Sequence, residues 1–193
     1  HSLWEALRRQ IFAVACGNGG KIYQSLQHPD LKNIPAWHDD SRFELIKPYF
    51  PEPPGLVLDI GAHWGYFCDR LEEMGFYCIA VENDPVHSYI LQQLRTVHKK
   101  KYEIFKGSIF KFKAHKAFVL VLALNIFHHL AKDESDHAKL VDFLQSLKTD
   151  VIIFQAPRED EWGNEKLFRR YNAEEFAYFI ANNASMKKIN YIG

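Results

Sequence analysis

Apolar residues along this chain gather into short runs separated by amphipathic stretches, and that alternation predicts its architecture. Leu56-Val57-Leu58 follows the breaker cluster Pro51-Glu52-Pro53-Pro54-Gly55 and reads as a strand covered on both faces. From Tyr66 to Gly75 the apolar Phe67, Leu71 and Met74 recur three and four apart, with Asp69, Arg70, Glu72 and Glu73 opposite, so a helix follows. Phe76 to Val81 is a second buried strand. Asp84 as N-cap and Pro85 at the first helical position open a helix striped by Ile90, Leu91 and Leu94. Tyr102 to Phe105, Phe118 to Leu124 and Val151 to Phe154 give three more strands. Between the last two, Asp133 or Ser135 starts a helix carrying Leu140, Val141, Phe143, Leu144 and Leu147. Asn172 and Glu175 form a capping box before Phe176, Phe179 and Ile180, and Lys187 to Ile192 reads as a sixth strand.

Strands alternating with helices predict an α/β fold, a three-layer sandwich with a mostly parallel central sheet. Residues 1–50 carry the helical stripe Leu3, Leu7, Ile11 and Phe12, a glycine-rich stop at 17–20 and a patterned segment from Phe43 to Phe50. They read as an N-terminal helical segment or lid, and residues 51–193 as the core, within a single domain.

The chemistry concentrates where the first core strand leaves the sheet, at Asp59-Ile60-Gly61-Ala62-His63-Trp64-Gly65. Gly61 and Gly65 allow a sharp turn and a close backbone approach to a ligand. Glu82 ends the next strand 21 residues after Gly61, where a carboxylate accepts hydrogen bonds from ribose hydroxyls. A strand-end glutamate also serves as an ordinary turn residue, and it is the pairing with the glycine turn that favours a nucleoside ligand. The turn lacks G-x-G-x-x-G, because His63 stands at the second-glycine position, so a pyrophosphate cradle and a nicotinamide enzyme are disfavoured.

Leu58-Asp59-Ile60-Gly61-Ala62-His63-Trp64-Gly65-Tyr66-Phe67 resembles the first motif of the class I S-adenosylmethionine-dependent methyltransferases, and Val81-Glu82-Asn83-Asp84-Pro85 is similar to their acidic second motif. The resemblance runs roughly from residue 56 to 180. It implies a Rossmann-like methyltransferase fold, S-adenosyl-L-methionine as cofactor, and methyl transfer to an oxygen or nitrogen of a small-molecule acceptor. It also implies cofactor contacts at Asp59, Gly61, Ala62, His63, Gly65, Phe67, Glu82 and Asn83. At His63 the family usually has a further glycine, and the imidazole narrows the loop around the methionine part. Ser108 and Ile109 stand where the family meets adenine, although an ordinary strand-to-loop exit looks the same. Arg42, with Trp37 near it, stands where many relatives hold the methionine carboxylate; read alone, it is an exposed arginine beside an N-cap at Asp40 or Ser41. The family adds an antiparallel seventh strand after the sixth, so here either the segment is trimmed or the sheet ends short. A start at His1 fits a processed or excised segment.

Phe118 to Leu124 exits into Asn125-Ile126-Phe127-His128-His129-Leu130. Ligands of open α/β sheets bind outside the carboxyl ends of the strands, which places Asn125, Phe127, His128 and His129 at the reaction site, Asn125 and Phe127 also toward the cofactor. Methyl transfer needs mainly alignment, worth about 7 to 11 kcal/mol, and a base only where the nucleophile must lose a proton. His128 is the candidate base and Asn125 the candidate group for orienting the acceptor. A histidine pair at a strand exit is equally a structural feature. Asn-Ile-Phe-His also departs from the Asn-Pro-Pro-Tyr pattern of amine methyltransferases.

Composition sets outer limits. With 193 residues, 47% hydrophobic, the chain makes one domain with a substantial core, and no apolar run has membrane-spanning length. Cys16, Cys68 and Cys78 form no C-x-x-C pair and the histidines are scattered, so no dedicated metal site is expected. Unpaired cysteines and no visible leader suggest a reducing, cytoplasmic location. Formal net charge is zero, yet Arg95, Lys99, Lys100, Lys101, Lys106, Lys111, Lys113 and Lys116 oppose only Glu103. Interleaved with Tyr102, Phe105, Phe110 and Phe112, this stretch reads either as a track for RNA or as a solvated edge. A small-molecule acceptor, RNA through residues 95–116 and no membrane are the expected partners. Methyl transfer to RNA or protein, and a non-catalytic binding module of the same fold, are the competing readings.

Overall fold

The computed structural model describes residues 2–114, 116–158 and 168–192. Its N-terminal part holds α1 (Leu3–Gly17), two three-residue parallel strands β1 (Ile22–Gln24) and β2 (Ala36–His38), and α2 (Ser41–Ile46). The core follows as β3 (Leu56–Ile60), α3 (Tyr66–Glu73), β4 (Tyr77–Glu82), α4 (Pro85–Val97), β5 (Glu103–Lys106), β6 (Phe118–Leu124), α5 (Glu134–Ser146), β7 (Thr149–Gln155) and α6 (Ala173–Asn183).

Five strands pair in parallel in the order β5-β4-β3-β6-β7. The chain winds outward from β3 through β4 to β5, then returns to the other side of β3 for β6 and β7. The direction of winding therefore reverses between β3 and β6, and the crevice at their carboxyl ends is where such sheets take ligands. Both faces are apolar, as a covered parallel sheet requires. Leu58, Ile60, Val121 and Ala123 pack toward Leu140, Phe143 and Leu144 of α5 and Phe176 and Ile180 of α6. Val57, Leu120 and Leu122 pack toward Phe67, Cys68 and Leu71 of α3.

Three helix starts follow the sequence reading. Asp84 accepts the N–H groups of Val86 and His87, Asp133 that of Asp136, and Asn172 with Glu175 completes its capping box. The fourth does not. Asp40 precedes α2, but its carboxylate makes no cap and instead accepts from Ser25, Gln27 and Tyr66 and pairs with Arg70.

Residues 187–192 form no strand, so among the described residues the sheet ends at β7. After α6 the chain turns back at Ser185 (φ 56°), the Met186 N–H donates to Ala181, and Tyr191 stays exposed. An apolar and polar alternation marks a strand only where a neighbour accepts its hydrogen bonds, and none pairs with this segment among the described residues. Among the described residues no helix is long and apolar enough to cross a membrane.

The N-terminal segment builds an apolar cluster of its own from Leu7, Ile11, Ala15, Ile22, Leu26 and Leu31. Into it the core contributes Ile90 and Leu94 of α4 and Trp64 of the turn after β3.

Candidate functional site

The turn between β3 and α3 is pinned from β4. Glu82 is buried, and its two carboxylate oxygens accept the His63 N–H and the Asp84 N–H, each at 2.8 Å. Gly61 takes φ 73°, and a Cβ there would meet the Ile126 side chain at 3.1 Å. Gly65 takes φ 86°, and its Cβ would lie 2.5 Å from both Leu91 Cδ1 and the Tyr102 hydroxyl. Packing against α4 and the residue before β5, rather than approach to a ligand, is thus what requires glycine at 65. His63 adopts φ 51° between these two glycines. Its ring lies beside Tyr23, Trp64 and His87, with centroids 5.1, 4.9 and 4.2 Å away. Burial, reinforced by His87, pushes its pKa down to about 3, so the ring is neutral at physiological pH.

Asp59, next to last in β3, is almost fully buried and accepts a hydrogen bond from the Cys68 thiol at 3.4 Å. Burial pushes its carboxyl up to about 7, against the pull of the Cys68 hydrogen bond and of Arg42. Arg42, from α2, reaches into the same space. One nitrogen of its fork donates to Gln24 Oε1 at 2.7 Å and another to Gln155 Oε1 at 3.3 Å, while its face lies over Tyr23 and Phe67. Both hydrogen-bond partners are neutral amides. Gln24 is positioned in turn by donating to the carbonyls of His38 and Asp39. The exposed arginine expected from the sequence is therefore a half-buried one that joins the N-terminal segment to the end of β7.

These groups face one cavity of about 1200 Å³ at the carboxyl ends of β3, β4 and β6. Asp59, Gly61, Ala62, His63, Phe67, Glu82, Asn83, Ser108, Ile109, Asn125 and Arg42, named from the sequence as cofactor contacts, all line this cavity. Three buried polar atoms of the lining, Arg42 Nε, His63 Nδ1 and Asn125 Oδ1, have no hydrogen-bond partner among the described residues. Buried polar groups are normally satisfied, so these three atoms are open to a polar ligand in the cavity.

No protein-family model and no curated protein matches the chain. Among solved structures it is similar to the PH0226 protein from Pyrococcus horikoshii OT3, at 21% identity and TM-score 0.51, over 59% of this chain and 56% of that one. It is also similar to WbdD, at 21% identity and TM-score 0.59, over 76% of this chain and 36% of that one. A second WbdD structure, described as a bifunctional kinase-methyltransferase, gives TM-score 0.58 at 20% identity, over 78% of this chain and 39% of that one. The chain has the class I methyltransferase fold. It spans less than two thirds of the length of each of these proteins.

Within the methyltransferase fold the exit of β6 departs from the sequence reading. Asn125 takes φ 57° and turns the chain into a short 3₁₀ turn, Phe127–Leu130. That turn points Phe127 and His128 inward, at 0% and 1% exposure, and neither lines the cavity. Burial pushes His128 down to about 4. His129, the neighbour, lines the cavity in its place. Gly65 also lies outside the lining. Ser108 lines the cavity and also accepts the Phe110 N–H at 3.3 Å, so it caps the turn after β5 as a strand-exit residue does. Trp37 does not reach the cavity; it is exposed, with Lys21 over its ring at 4.5 Å.

Sequence reasoning missed Tyr23, Gln24 and the pairing of Gln155 with Arg42. A three-residue strand shows no periodicity, and the Gln155 contact with Arg42 spans 113 residues of chain, so neither leaves a local signal.

Proposed function

We propose that this chain is an S-adenosylmethionine-dependent methyltransferase that transfers a methyl group to an oxygen or nitrogen of a small-molecule acceptor. The observation that carries the reading is the presence of opposite charges around one cavity, the Asp59 and Glu82 carboxyls with the Arg42 guanidinium. An amino acid joined to a nucleoside matches that set. Asp59 suits the ammonium group and Arg42 the carboxylate, for which its unpartnered Nε and fork geometry are well shaped. Glu82 retains lone pairs beyond the two backbone N–H groups it accepts, and these suit the ribose hydroxyls. Ser108 and Ile109, which also line the cavity, suit the adenine end.

When bound, S-adenosylmethionine supplies a methyl group already activated on a cationic sulfur. The protein's own work is then alignment and exclusion of water. Tyr23, His63 and Phe67 wall the site with rings. Asn125 and His129 stand where β6 ends, and suit orienting the acceptor and taking its proton.

Calorimetric titration with S-adenosylmethionine tests the cofactor assignment, and a labelled-methyl assay over fractionated metabolites tests the acceptor class. Cofactor binding that is unchanged in Arg42→Ala would remove the carboxylate assignment. A protein that binds no S-adenosylmethionine at millimolar concentration would remove the whole reading.

A further inference from the structure

Two arginines join the N-terminal segment to the core, and their charges are met in opposite ways. Arg70 of α3 pairs with Asp40 at 3.4 Å and with Glu44 at 3.0 Å, so two carboxylates close it off. Arg42 of α2 makes no ion pair among the described residues. Its fork ends on the side-chain oxygens of Gln24 and Gln155, both uncharged. Each guanidinium also lies over an aromatic ring, Arg70 over Phe43 at 4.4 Å and Arg42 over Phe67 at 5.3 Å. Ring packing therefore does not account for the difference.

The two glutamines are themselves held from different parts of the fold. Gln24 ends β1, is 4% exposed, and its amide nitrogen donates to the carbonyls of His38 at 3.1 Å and Asp39 at 2.9 Å. Those two contacts use both amide hydrogens and leave the oxygen for Arg42. Gln155 ends β7 in register with Leu124, the last residue of β6, so it meets Arg42 from the carboxyl edge of the sheet.

A carboxylate at either position would neutralise the guanidinium and compete with an incoming anion for its donors. An amide oxygen fixes the same plane and leaves the charge in place. The guanidinium has more N–H donors than these contacts use, and its Nε–H is buried without a partner. The charge is felt across the cavity: burial pushes the Asp59 carboxyl up and the His63 ring down, and Arg42 draws both lower.

We propose that Gln24 and Gln155 are positioning residues that fix Arg42 while leaving its charge uncompensated, and so make the site select carboxylate-bearing ligands, given that Arg42 meets the amino-acid end of S-adenosylmethionine. Gln155 lies outside the cavity lining and acts through the guanidinium alone.

Gln155 is where the charge can be cancelled without altering the cavity wall. Gln155→Glu sets a carboxylate against the Arg42 fork, and Gln155→Leu removes the acceptor without adding charge. Calorimetric titration of the whole chain compares S-adenosylhomocysteine with methylthioadenosine, two thioethers of the same nucleoside of which only the first carries the amino-acid carboxylate. S-adenosylhomocysteine should bind about 10- to 100-fold more weakly to Gln155→Glu and about threefold more weakly to Gln155→Leu. Methylthioadenosine should stay within about twofold of its wild-type affinity in both variants. The melting temperature of Gln155→Glu should not fall, because the new carboxylate pairs with Arg42. Equal losses for the two ligands, as a purely structural role would give, would overturn the proposal. So would unchanged S-adenosylhomocysteine affinity in Gln155→Glu, or a loss in Gln155→Leu as large as in Gln155→Glu. A wild-type chain that binds neither ligand removes the cofactor assignment as well, whereas wild-type binding that ignores Gln155 leaves that assignment standing.

Discussion

The carboxylate of Glu82 holds the backbone N–H of His63 at 2.8 Å, across the gap between the end of β4 and the turn after β3. The same carboxylate holds the Asp84 N–H, so one side chain ties the turn to the start of α4. Replacing it by alanine leaves two backbone N–H groups without their acceptor and removes the acceptor assigned to ribose. Glu82→Ala should weaken S-adenosylmethionine binding by about 100-fold and lower stability by about 1 to 3 kcal/mol. Glu82→Gln keeps the shape but turns an N–H₂ toward one backbone N–H, and should fall between. Calorimetry and thermal melts read both effects, and wild-type affinity in the alanine variant would sink the ribose assignment.

Asp59 makes stability depend on pH in a definite direction. Its folded pKa, about 7, lies above its ordinary value of 3.8, so the folded chain holds a proton that the unfolded chain releases. Stability is therefore fullest below pH 4, as far as this group is concerned. It declines as pH rises toward 7 and levels off above, by on the order of 4 kcal/mol in all. Asp59→Asn should flatten that slope in urea melts recorded from pH 5 to 8. A cation bound at Asp59 should also release a proton near neutral pH, seen as a buffer-dependent binding enthalpy.

Gly65→Ala tests the packing reason for that glycine. The added methyl meets Leu91 and the Tyr102 hydroxyl at 2.5 Å with φ at 86°, so a loss of about 2 to 4 kcal/mol is expected. Gly17, at the last residue of α1, has nothing within 4 Å of the same position. Gly17→Ala should be neutral or stabilising by up to about 1 kcal/mol.

The two adjacent histidines separate structure from chemistry. His128→Ala empties a buried site and should cost about 2 to 4 kcal/mol in a melt. His129→Ala should leave the melting temperature within a few degrees and lower kcat for an acceptor that must lose a proton, by about 100-fold. Normal turnover in His129→Ala would remove it as base. Because burial holds His128 down at about 4, a pH-rate profile should show no break from it above pH 5.

Long-range order was legible wherever a local pattern encodes it. Phe118–Leu124 has the bounds that its apolar run predicts, and the caps at Asp84, Asp133 and Asn172 are written in single side chains. Glu82 and the Gly61 turn are readable because strand, turn and strand follow within one unit. Arg42 illustrates the limit: its neighbours Gln24 and Gln155 come from distant parts of the chain, and only folding brings them within reach. The choice between His128 and His129 failed for another reason. Asn125 enters the left-handed region and the chain coils into a 3₁₀ turn, which rotates side chains that an extended reading would set on opposite faces. Lys187 to Ile192 carries the pattern of a strand and lacks the neighbour that makes one.

Trp64 belongs to the turn that faces the cavity, yet its ring is counted among the residues that Leu7, Ile11, Leu26 and Leu31 enclose. The turn is thereby fastened to the first thirty residues as well as to the sheet. In amide hydrogen exchange, residues 61–65 should open together with α1 and β1 as one cooperative unit, at a lower free energy than β3 and β6. Proteolytic nicking near residue 20 would then loosen the cofactor turn while the five-stranded sheet stays closed.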